Sequence, residues 1–139
     1  MISFLVALSL SAADEAPADP KRFKSDLKLL CGIEARATSK DPSKRAEQIA
    51  NALAAIEFGD DYTAFFSRLS GEYPDEKPAV LLSAARRAGL SSCAFAESSQ
   101  RESVVALKRA CAKREPDSCE RLKTVTELWK AAGKVAVGR

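Results

Sequence analysis

The chain has 139 residues, enough for one domain built on a single hydrophobic core. Hydrophobic residues at 46% and charged residues at 29% are ordinary globular proportions, which argues against a wholly disordered chain. A net charge of +3 is too weak to imply a polyanion partner, and the absence of histidine excludes every Ser-His and Cys-His catalytic arrangement.

The chain opens on an apolar run, Ile2 to Leu10, followed by Ser11-Ala12-Ala13, a small-x-small step ahead of Asp14. These are the hydrophobic and cleavage regions of a secretory signal, although no Lys or Arg precedes them. Residues 1–13 are therefore expected to be a cleaved signal peptide and the mature protein to be periplasmic or extracellular. If the run is instead a short buried helix, the protein is cytoplasmic. A run of this length cannot span a bilayer, so no transmembrane span is expected. Residues 14–19 are acidic and aperiodic, which predicts a flexible segment, and residues 20–139 are expected to form a single helical domain.

Abundant alanine and the lack of β-branched runs favour helix over strand throughout. Asp19-Pro20 places an N-cap and a first-turn proline ahead of the stripe Phe23, Leu27, Leu30 and Cys31, with Gly32 as the stop. Asp41-Pro42 repeats that start, and Ala46, Ile49, Leu53 and Ile56 form the expected core face of a second helix ending at Gly59. Asp60 and Asp61 are placed to cap a third, carrying Tyr62, Phe65, Phe66 and Leu69 at core spacing. Gly71 closes it, and Tyr73-Pro74 forces an extended turn. A fourth helix is expected from an Asp75 cap through Val80, Leu81, Ala84, Ala85 and Ala88 to Gly89. Ser91 to Ser98 reads as the least regular stretch.

Ser99 with Glu102 three residues on has the form of a capping box, followed by Val104, Leu107 and Cys111 at helical spacing. Pro116 breaks that helix and pre-sets the next, which carries Cys119, Leu122, Val125, Trp129 and Ala132 on one stripe. The expectation is an αα-hairpin, with Val135 to Arg139 fraying beyond it. The fold class is thus all-α: one small domain of about five helices with a C-terminal hairpin.

Cys31, Cys93, Cys111 and Cys119 are even in number, include no CxxC, and match no zinc-site spacing, so no metal and no cofactor are expected. They can be two disulfides or four buried thiols. Given export, disulfides are favoured, and of three pairings Cys111–Cys119 with Cys31–Cys93 is preferred because the first pair is local. The run Ala110-Cys111 to Ser118-Cys119 resembles the stapled helix pair of Sel1-like cysteine-rich helical repeats. That resemblance covers the hairpin alone. The family's repeated glycines and a second copy at fixed period are missing, so it implies local geometry and nothing about function.

Charge is uneven along the chain: ten Lys/Arg face five Asp/Glu over residues 101–139, while residues 57–78 are acidic. Lys108, Arg109, Lys113, Arg114, Arg121 and Lys123 make a candidate binding face on the hairpin. A P-loop, a GxGxxG and a GxSxG elbow are absent, and the adjacent acid pairs diverge on a helix rather than share a site. These features point to a non-catalytic exported protein that binds another protein. A basic face on anionic lipid or polymer is the first alternative, and an unrecognised enzyme the second. Nucleic acid is disfavoured by the lack of stacking-aromatic motifs or a recognition-helix pattern.

Overall fold

A computed structural model describes residues 16–139; the apolar run, the cleavage step, Asp14 and Glu15 lie outside the described residues. Among the described residues the protein is all-helical, with six α-helices and no strand: α1 (Pro20–Cys31), α2 (Pro42–Ala54), α3 (Asp60–Leu69), α4 (Lys77–Arg87), α5 (Ala94–Ala112) and α6 (Ser118–Gly133). A short 3₁₀ turn, Ile33–Arg36, follows α1.

α1 runs through the centre. Phe23, Leu27, Leu30 and Cys31 recur on one face and all are buried, Leu27 completely. Against them pack Tyr62, Phe65 and Leu69 of α3, and Leu81, Ala84 and Ala85 of α4. Phe23 meets Phe65 edge-on at 5.8 Å, while Phe58, Tyr62 and Phe66 form a stack beside them. The aromatic cluster is therefore core packing. α4 and α5 both contact α6, so the C-terminal half is a three-helix layer laid across α1.

Both disulfides are formed, in the expected pairing. Cys31–Cys93 joins the last residue of α1 to the residue preceding α5, and Cys111–Cys119 joins the end of α5 to the start of α6. α5 is thus held at both ends.

Several local expectations are corrected. α5 begins at Ala94, not Ser99. Cys93 is extended where its sulfur reaches Cys31, and the Ser98 hydroxyl donates to Glu34 Oε2 across the fold. α5 ends at Ala112, before Pro116, and the turn passes through left-handed Arg114 and Asp117 before α6 starts at Ser118. α4 is preceded by Glu76 with no side-chain cap, because Asp75 is turned toward α6. Gly59 precedes α3 rather than ending α2.

α2 buries none of its residues. Leu53 packs part-buried against the core, and polar contacts add to it: Gln48 Oε1 accepts from the N–H groups of Thr38 and Ser39, and Arg45 donates to the carbonyls of Ala37 and Glu34. The C-terminal segment does not fray. Gly138 N–H donates to Arg86 O, and Arg86 Nε donates to Val135 O. A Cβ at Gly138 would lie 1.9 Å from Arg87 O, so only glycine fits that approach.

Candidate functional site

The turn end of the α5–α6 hairpin is thinly packed. No residue from Arg101 to Asp117 is buried, and over the whole of α5 only Ala96 and Gln100 are. A helix so lightly buried gains little from hydrophobic contact, and its two disulfides supply the constraint that burial does not.

Between the two helices runs an open groove of about 550 Å³. Its apolar floor is Val104 and Val105 from α5 with Leu122 and Trp129 from α6; Val105 is 46% exposed. Arg101, Lys108 and Lys130 stand on its rim, and among the described residues no carboxylate lines it. Gln100 lies at its inner edge, where its Nε2 donates weakly to Val125 O (3.4 Å) and its Oε1 has no partner. A half-covered apolar strip of this kind favours association with a complementary surface.

The predicted basic face is divided. Lys108 belongs to the groove, whereas Arg109, Lys113, Arg114 and Lys123 are exposed on or near the turn end of the hairpin. Arg121 is already engaged: its guanidinium forms a forked pair with Asp75, reaches Glu76 Oε2 at 3.1 Å and lies over the Tyr73 ring at 4.9 Å. The hydrogen bonds it donates to Asp75, then to Glu76, raise its pKa above the ordinary arginine value. Arg121 therefore ties α6 to the turn before α4. Of the groove residues, the sequence pattern puts Val104, Leu122 and Trp129 on core stripes and does not single out Gln100, Arg101, Val105, Thr126 or Lys130. Their signal was a second stripe beside the core stripe: Arg101, Val104, Val105 and Lys108 share one face of α5, and Leu122, Thr126, Trp129 and Lys130 one face of α6.

No family model, curated protein or solved structure matches this chain. The likeness to Sel1-like repeats accordingly rests on the hairpin and its Cys111–Cys119 staple alone.

A second groove, about 340 Å³, lies between α4 and α6 and carries Glu72, Glu76 and Arg87 on an alanine-rich wall. Among the described residues no three His, Cys, Asp or Glu side chains are gathered to hold a metal ion, and no helix is long and apolar enough to cross a membrane. Of the adjacent acid pairs, Asp75 and Glu76 both face Arg121, and Asp61 accepts the N–H groups of Ala18 and Asp19.

Proposed function

We propose that this chain is an exported, non-catalytic binding protein that contacts another protein through the α5–α6 face. The observation that carries the reading is the groove: an exposed apolar strip with an all-cationic rim, on a hairpin stapled by a disulfide and lightly packed otherwise. Two disulfides in a chain of this size favour an oxidising compartment, which supports export to the periplasm or the cell exterior.

The test is photo-crosslinking in the producing cell, with the reactive side chain at Val105 or, as a control, at Glu47 on the exposed face of α2. A discrete protein adduct formed from position 105 and absent from position 47 is expected. No adduct at 105, or the same adducts from both sites, would refute the reading.

The exposed cations around the turn, Arg109, Lys113, Arg114 and Lys123, favour a second reading: contact with an anionic lipid or polymer. Such contact would collapse between low and physiological salt, whereas an interface anchored in the apolar strip would persist.

A further inference from the structure

We infer that the α5–α6 groove receives an acidic amphipathic helix from a partner protein. The proposal rests on the binding reading above and adds the chemistry of the occupant.

α5 presents Arg101, Val104, Val105 and Lys108 to the groove, the i, i+3, i+4, i+7 positions of one helical face. Arg101 and Lys108 are thus two turns, about 10 Å, apart along the axis. α6 runs antiparallel, as the Cys111–Cys119 staple and the Gln100–Val125 contact require, and this sets Lys130 near the Arg101 end. Cations therefore stand at both ends of an apolar strip. A lipid or other single-headed amphiphile would meet one end and leave the other unmatched. A helix with an acid at i, apolar residues at i+3 and i+4, and a second acid at i+7 meets both, and lays its apolar pair on Val105 and Trp129.

Two further observations agree. The rim charges are available: Lys108 and Lys130 have no ion-pair partner among the described residues, and Arg101 donates to the Ser98 hydroxyl rather than to a carboxylate. The groove is open along its length, whereas pockets for small ligands enclose most of the ligand's surface. A second copy docked groove to groove does not fit, because such pairing would set Arg101, Lys108 and Lys130 against their own like charges.

Trp129 is the chain's single tryptophan and lies in the groove, so occupancy is read from its emission. The full disulfide-bonded chain is titrated with a helical peptide repeating Glu-x-x-Leu-Leu-x-x-Glu, with the same peptide carrying Lys for Glu, and with anionic vesicles. The acidic peptide is expected to shift Trp129 emission to the blue. Lys108→Glu and Lys130→Glu should each weaken it about tenfold or more, and Lys40→Glu, on the far linker, should leave it unchanged; far-UV circular dichroism confirms that each variant is folded. No response to the acidic peptide, an equal response to the basic one, or a response confined to vesicles would overturn the proposal. Because crosslinking at Val105 is read independently, an adduct there without acidic-peptide binding removes the helix proposal and leaves the binding reading intact.

Discussion

Asp26 is 2% exposed on the buried face of α1 and is answered from two sides. Arg22 Nε donates to one carboxylate oxygen at 3.2 Å, and Gly59 N–H donates to the other at 2.9 Å. The same Arg22 reaches Glu57 O, so one ion pair fixes the loop between α2 and α3 onto α1. Asp26→Ala would leave the Gly59 N–H unmatched and free that loop; a loss of about 2 kcal/mol is expected in denaturant melts, discounted because Arg22 stays half in solvent. The Arg22–Asp26 spacing is visible in the sequence, but Gly59 lies far along the chain and its closeness to α1 is not. Asp61 departs in a similar way from the capping role its position suggests. Its carboxylate accepts the Asp19 and Ala18 N–H groups at 2.8 and 2.9 Å, and these bonds hold its pKa below the ordinary 3.8. A lowered folded pKa means the contribution is complete above the unfolded value and is lost as pH falls through the folded one. Acid titration followed through the Ala18 and Asp19 amide NMR signals should therefore show these bonds lost as pH falls below the ordinary carboxylate range, a pH dependence that Asp61→Asn removes.

At the scale of elements, α1 was the most readable helix, because its cap, proline and four-residue stripe all point the same way. α5 was the least. Its true start depends on Cys93 being drawn into an extended conformation by Cys31, a partner 62 positions away, and no local pattern carries that information. The two staples should differ in effect. In the chain-entropy model, closing the long loop is worth about 4 kcal/mol and the short one about 2.6 kcal/mol. Cys31→Ala with Cys93→Ala is expected to lower the melting temperature of the whole domain. Cys111→Ala with Cys119→Ala should lower it less and raise amide hydrogen exchange chiefly between residues 101 and 124, where nothing but Ser118 is buried. Equal exchange across the molecule in the second variant would contradict the view that the staple substitutes for burial in the hairpin.

Over the whole molecule, the sequence was enough for fold class because helix periodicity, proline starts and cysteine parity are local or countable properties. It was not enough for the site. The basic face looks continuous along the chain, yet Arg121 is consumed by Asp75 and Glu76, and Lys108 is grouped with Arg101 and Lys130, which come from different helices and meet only because the hairpin is antiparallel. α2 shows the same limit from the other side: its apolar stripe predicts burial, but of that stripe Leu53 is what packs on the core, part-buried, and Gln48 and Arg45 supply the rest of the docking. Function follows from which stripes end up uncovered, and that is set by how the helices pair.

Export and a hairpin held by disulfides stand or fall together on the intact mass of the protein from its native source. The measurement is made without reductant, before and after thiol alkylation. A chain that starts near Asp14 and takes up no alkylating agent until it is reduced is the expected result. A chain that retains Met1 and is labelled at Cys31, Cys93, Cys111 and Cys119 would contradict both the compartment and the stapled hairpin.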